Sequence, residues 1–185
     1  MLQGERVRLR TLRSGDLDRL LENWSDMAAR GRYFPQTVFT EAELRRRMQE
    51  NGFWSEHAGW LLIEDAAKEF VGLVFFFQPN PFYPYYEIGY IVFSGQHRGK
   101  GYMTEAVSLL CGWLFDNRRI NKLLLSIMPD NQASRRVAEK CGFTLEGVDR
   151  QGAYVGGRFQ DMQRYSLVRA EWDARREAPA LTLLA

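Results

Sequence analysis

The sequence predicts an α+β domain with a mixed, mostly antiparallel central sheet and flanking helices. Three observations carry this. By hydrophobic period the segments run strand, two helices, three strands, helix, strand, helix, two strands. Consecutive strands favour antiparallel neighbours, whereas the strand–helix–strand passage in the middle demands one parallel pairing. No period of about 20–50 residues repeats, which removes solenoids. At 185 residues the chain has one-domain length and can bury a core without a disulfide or metal staple.

Residues 7–12 alternate apolar and polar positions, as a strand with one buried face does. Leu17, Leu20, Leu21 and Trp24 then recur at helical spacing, with Ser14 as the expected N-cap and Asp16 in the first turn. After a loop holding Tyr33, Phe34 and Pro35, Thr40 and Glu43 form a capping box that opens a second helix to about Asn51. Residues 60–63 and 70–78 form an expected antiparallel hairpin across a polar connection. The prolines of residues 79–84 exclude helix and central strand there.

Residues 87–93 return to strand character, and 95–101 make a cationic turn. A helix is expected over 101–117, with Ala106, Leu109, Leu110, Trp113 and Leu114 inward. Residues 123–127 are a short buried strand, and 131–140 a helix ended by Gly142. Residues 143–147 and 158–168 are the closing strands. One domain over 1–177 is expected, with 178–185 a short apolar tail, either frayed or a contact for another subunit.

Composition narrows the function. Lys and Arg total 25 against 23 Asp and Glu, a net charge of +2, which argues against a dedicated nucleic-acid binder. No apolar run approaches the roughly 18 residues of a membrane span, and the N-terminus lacks the apolar core of a signal peptide. Cys111 and Cys141 lie in apolar sequence, as buried reduced thiols of a cytoplasmic protein do. His57 and His97 are too isolated for a zinc site, so no metal is expected. Only Lys68, Lys100, Lys122 and Lys140 are lysines, so each merits notice.

The most informative stretch is Gln96-His97-Arg98-Gly99-Lys100-Gly101, between a strand and a long helix. Its glycines let the backbone turn and bring successive N–H groups to one side. With the helix N-terminus behind them these groups form a concave anion site, and Arg98 and Lys100 add charge. A diphosphate is the ligand type that fits. The Walker A spacing fails because Lys100 lies between the glycines, and the Rossmann fingerprint lacks its third glycine. A plain tight turn is the alternative.

The flanking residues make the stretch more specific. Gln96-x-x-Gly99-x-Gly101, after Glu87-Ile88-Gly89-Tyr90-Ile91-Val92 and before Met103-Thr104-Glu105-Ala106, resembles the acyl-CoA-binding core of the GCN5-related N-acetyltransferases. Asn131-Gln132-Ala133-Ser134 and the run from Arg136 to Phe143 are similar to the second core segment. The Arg8-Leu9-Arg10 strand, the Asp16 helix and residues 161–169 match as well. The resemblance spans roughly residues 5–172 and is to the ribosomal-protein (RimJ/RimL) type.

The resemblance implies a splayed strand pair in the sheet, acetyl-CoA as cosubstrate, and direct attack of an amine on the thioester. It places the diphosphate on Gln96 and the backbone of Arg98, Gly99, Lys100, Gly101, Tyr102 and Met103. It places pantetheine along Ile91, Val92 and Phe93, with an N–H of Ile91 or Val92 on the thioester carbonyl. Gly89 then marks a bulge, or else simple crowding. Ser134 serves the leaving sulfur; the alternative is a first-turn Ser bonding its own backbone. Asn131 is both a helix cap and a pantetheine contact.

Ser126 and Ala138 stand where one branch of the family carries a Glu base and a Tyr acid. Those departures point to the Ser-bearing branch and leave Glu87 as base, or as an ion-pair partner. Trp24, Tyr33, Phe34, Tyr83 and Tyr85 are candidates for the acceptor groove, or else core and dimer-contact aromatics. The expected reaction is acetylation of a primary amine: an α-amine of a peptide, a protein N-terminus or an aminoacyl-like small molecule. Alternatives are a larger acyl group, a drug-like amine, or a non-catalytic CoA sensor. The expected partner is that amine, not nucleic acid or membrane, for a monomer or homodimer.

Overall fold

Residues 1–35 and 37–177 are described by this computed structural model; the tail expected over 178–185 lies outside them. The strands are β1 (Leu2–Gln3), β2 (Val7–Thr11), β3 (Ala58–Asp65), β4 (Phe70–Phe77), β5 (Tyr85–Val92), β6 (Lys122–Ile127), β7 (Thr144–Val155) and β8 (Arg158–Val168). The helices are α1 (Leu17–Ser25), α2 (Met27–Arg30), α3 (Glu41–Asn51), α4 (Tyr102–Asn117), α5 (Gln132–Cys141) and α6 (Arg169–Glu177). One sheet runs in the order β1-β2-β3-β4-β5-β6-β8-β7. Its one parallel neighbour pair is β5–β6, joined through α4 as the strand–helix–strand passage demands.

Alternation along the strands feeds two cores. On one face α4 presents Leu110, Leu114 and Phe115 to Ile88, Leu123, Leu125 and Leu167. On the other, Leu17, Leu20 and Trp24 of α1 and Leu44 of α3 cover Leu62, Leu73, Ile91 and Phe93. Strand β5 therefore feeds both cores, even positions to one and odd positions to the other.

Several local expectations are corrected. Ser14 is not the cap of α1: residues Ser14–Asp16 form a 3-10 turn, and Asp16 stands at the N-cap. The Asp16 carboxylate accepts the Arg13 N–H at 2.7 Å and receives both terminal nitrogens of Arg10, at 2.7 and 2.8 Å. A carboxylate so held ends the turn where it sits. Gly89 is not a bulge, because the β4–β5 register runs through it without a shift. A Cβ there would strike the Phe75 ring. The bulge lies instead between β3 and β4, at Ile63/Glu64.

Strand β7 outruns its expected end at residue 147. Register shifts at Leu145/Gly147 and Asp149/Ala153 absorb the irregularities that looked like a stop. The hairpin closes at Gly156 and Gly157, whose φ of 62° and 79° suit a two-residue turn. The short β1 and the helices α2 and α6 were not expected at all.

Candidate active site

The site begins where β5 leaves β6. Their parallel pairing covers Tyr85↔Lys122, Tyr86↔Leu123 and Glu87↔Leu124, and goes no further. Beyond it β5 stays on β4 as far as Val92, while β6 stays on β8. Among the described residues, one edge of β5 over 88–92 thus carries no strand. Phe93 N–H donates to the Val71 carbonyl at 3.3 Å, so alternation turns the Ile91 backbone toward β4 as well. Val92, not Ile91, therefore offers its N–H and C=O to the opening.

The opening leads to the glycine turn. Gly99 and Gly101 have φ of 75° and 80°, a region open to glycine and strained for most other residues. Gly101 is the N-cap of α4, and having no side chain it leaves the first N–H groups of the helix uncapped. Such a cradle fits a diphosphate. The turn is braced from far away in sequence. Glu105 accepts the Arg6 N–H at 3.0 Å, and the Arg6 guanidinium donates to the Lys100 carbonyl at 3.3 Å. Arg6 thus places a third cation against the turn beside Arg98 and Lys100, and nothing local in the sequence marks it.

Across the opening stands α5. Asn131 Oδ1 accepts the Ser134 N–H at 3.1 Å, the expected cap. Ser134 Oγ lies 2.6 Å from Tyr90 Oη, so its hydroxyl bonds β5 and not its own helical turn. Burial pushes the Tyr90 phenol above its ordinary range, partly offset by the Ser134 hydrogen bond. Sequence reasoning missed Tyr90. Its even position, in step with Tyr86 and Ile88, is the signal that sets it on the face of α4 and α5.

Glu87 sits 3.7 Å from Arg164 of β8, their side chains 15% and 31% exposed. Arg164 also donates to Ser126 Oγ at 2.6 Å. The candidate acceptor aromatics take four positions. Tyr33 reaches the start of α5, its hydroxyl donating to the Asp130 carbonyl at 3.1 Å, while Arg32 pairs with the Asp130 carboxylate at 2.7 Å. Phe34 turns an edge to Phe75, which lies over Gly89. Tyr83 and Tyr85 stack at 5.6 Å, and Tyr85 pairs with Lys122 at the closed end of the splay. Trp24 does not border the groove: 5% exposed, it stacks on Trp60 within the core. No three His, Cys, Asp or Glu among the described residues are grouped to hold a metal ion, and no described helix is long and apolar enough to cross a membrane.

A parallel strand pair that opens toward a glycine-lined helix start is a place where an anionic ligand can bind. The chain belongs to the acetyltransferase (GNAT) domain family, whose model matches residues 6–144. The Bacillus subtilis protein YdaF is 36% identical over 49% of this chain, and the match spans 49% of its own length, about half. The ribosomal-protein-serine acetyltransferase of Escherichia coli is 27% identical over 73% of this chain and 75% of that protein. The structure of spermidine N-acetyltransferase from Vibrio cholerae in complex with CoA and spermine superposes with a TM-score of 0.77. It covers 90% of this chain and 97% of that one at 23% identity, a likeness of fold.

Proposed function

We propose that the chain is an acetyl-CoA-dependent N-acetyltransferase whose acceptor is an α-amino group of a peptide, protein N-terminus or aminoacyl-like molecule. The working unit is the single domain over 1–177. One observation carries the reading: the β5 edge left open past Glu87 runs from the Ser134 hydroxyl to the glycine turn. Acetyl-CoA brings a thioester; the amine nitrogen bonds to the acetyl carbon, the C–S bond breaks with its electron pair on sulfur, and the amine proton passes to water. Backbone N–H groups over 98–103 suit the diphosphate, and the Val92 C=O suits an amide N–H of pantetheine. Val92 N–H is also the donor for the thioester carbonyl, and Ser134 the donor for the departing sulfur.

The acceptor side favours an α-amine over a polyamine. Two carboxylates near it, Glu87 and Asp130, are paired with Arg164 and Arg32; Glu22, Asp26, Glu41 and Glu43 are further acidic residues on and beside the flanking helices. An α-amine of pKa about 7.7–8.0 is partly neutral near pH 7 and needs only a weak base, unlike a lysine ε-amine at about 10.4. Glu87, through water, takes that part. The buried free thiols Cys111 and Cys141 favour a reducing, cytoplasmic setting.

Titration calorimetry with acetyl-CoA, followed by thiol release across N-terminal peptides, aminoacyl amines and spermidine, tests the reading. Binding is expected, with release for α-amines and background for spermidine. No binding below millimolar concentration defeats the reading, and binding without release for any amine makes the domain a sensor. Ser134→Ala is expected to lower kcat about 10- to 100-fold while acetyl-CoA binding stays within about twofold. Glu87→Gln is expected to lower kcat near pH 7 and to recover above about pH 8, where the α-amine is neutral unaided. A loss that persists at high pH assigns Glu87 to holding Arg164.

A further inference from the structure

We propose that Tyr90 is a positioning residue for the transfer: its phenol donates to Ser134 Oγ and so turns the Ser134 proton toward the open β5 edge. The inference rests on the acetyltransferase reading and adds a residue to it. The two residues are 44 apart in sequence. The parallel crossover through α4 and β6 brings the first turn of α5 back over β5.

Hydrogen-bond accounting sets the direction. Tyr90 Oη has two acceptors within reach, Ser134 Oγ at 2.6 Å and the Ser134 carbonyl at 3.4 Å. If Ser134 were the donor, the phenol proton would be left with the carbonyl, at the weak limit of a hydrogen bond. With Tyr90 as donor, the short contact uses the phenol proton and the Ser134 proton remains for a third partner. The Ser134 N–H is already taken by Asn131 Oδ1, so the residue is tethered at two points.

The surroundings keep Tyr90 a donor. The titratable groups that act on the phenol are Cys111 of α4 and Cys141 of α5, and both are buried. Burial holds the phenol protonated well above neutral pH, which excludes a role as base. A hydroxyl that accepts one hydrogen bond donates a stronger one. No bond within Tyr90 or Ser134 breaks: the electron pair left on sulfur meets the Ser134 O–H, and the amine proton still leaves through water. The competing role is structural, a clasp between α5 and β5.

A thiol at position 134 separates the two. Ser134→Cys puts a titratable sulfur where the hydroxyl stands, and its rate of alkylation by iodoacetamide against pH gives its pKa. The native thiols stay silent, because burial pushes Cys141 up to about 12 and Cys111 well above its ordinary range. Adding Tyr90→Phe is expected to raise the pKa of the introduced thiol by about one unit, since the thiolate loses a donor. An unchanged value overturns the proposal, and with a lowered thermal midpoint it marks the contact as a clasp. In the amine assay Tyr90→Phe is expected to lower kcat about tenfold at unchanged KM for acetyl-CoA, and to add nothing to Ser134→Ala. Losses that multiply in the double variant overturn it too. A wild-type protein that releases no CoA with any amine defeats the acetyltransferase reading instead, so the two failures remain distinct.

Discussion

Gly101→Val is expected to raise the dissociation constant for acetyl-CoA about 100-fold or more, a loss of ~2.7 kcal/mol. Backbone strain produces it. The residue sits at φ 80°; a Cβ built there lies 2.6 Å from the Arg6 guanidinium, but that is the end of an exposed, flexible side chain that can move aside. A β-branched side chain held at positive φ costs about 1–3 kcal/mol. Valine escapes by turning to negative φ, which rotates the peptide carrying the Tyr102 N–H away from the proposed diphosphate position and moves Arg6 off the Lys100 carbonyl. Gly99 is a graded control: its φ is 75° but nothing lies within 4 Å of a Cβ. Gly99→Ala therefore carries only the backbone strain and is expected to weaken binding about tenfold. Calorimetry on both variants decides, and an unchanged Kd for folded Gly101→Val removes the turn from the site.

Arg10→Met is expected to lower the unfolding free energy by about 1–3 kcal/mol, the usual cost of leaving largely buried carboxylate contacts unmade. Arg10 holds Asp16 at two points and Glu64 at 2.9 Å, while Arg8 takes the other Glu64 oxygen. Glu64 is 6% exposed and keeps Arg8, so Asp16, which loses both of its Arg10 contacts, carries most of the loss. Urea denaturation measures the loss.

The same cluster sets an acid limb. Burial by itself pushes both carboxyls up, but hydrogen bonds and charge from Arg10, with Arg8 on Glu64 and the Arg13 N–H on Asp16, hold both below the ordinary carboxylate range. A lowered folded pKa means that this stabilisation is complete above the unfolded values near about 4. It is then lost as pH falls through the folded ones. Wild-type stability is therefore expected to drop below about pH 4, and that of Arg10→Met to drop less steeply, since the Arg10 contacts that protonation would weaken are already gone. Parallel pH curves for the two proteins refute the assignment.

Most of the strands, the longer helices and the one parallel pairing were legible in the sequence, because each follows from a period or cap spanning a few residues. Thr40 receives the Glu43 N–H and Asn131 the Ser134 N–H, both local bonds that sequence spacing announces. Short β1 and α2 were not, since two and four residues carry too weak a pattern, and α6 was not because it buries no residue to give one. The misplaced cap at Ser14 has a different cause: Arg10 competes for Asp16 from the neighbouring strand. Trp24 has a third. An aromatic at a helical position has one appearance whether it faces a ligand or a core, and Trp60 from β3 decides.

The chain alone thus determined its fold class, its family resemblance and the glycine turn before α4, all of which rest on short-range geometry. Glycines at two spacings, an uncapped helix start and a capped one are properties of neighbouring residues. Tertiary structure decided what depends on residues far apart: Val92 over Ile91 at the open edge, Arg6 against the turn, Arg164 on Glu87, and Tyr90 on Ser134. The reason is register. A one-residue slip in β5 would turn Tyr90 to the other face of the sheet, and only the pairing with β4 and the crossover to α5 fix which face it takes.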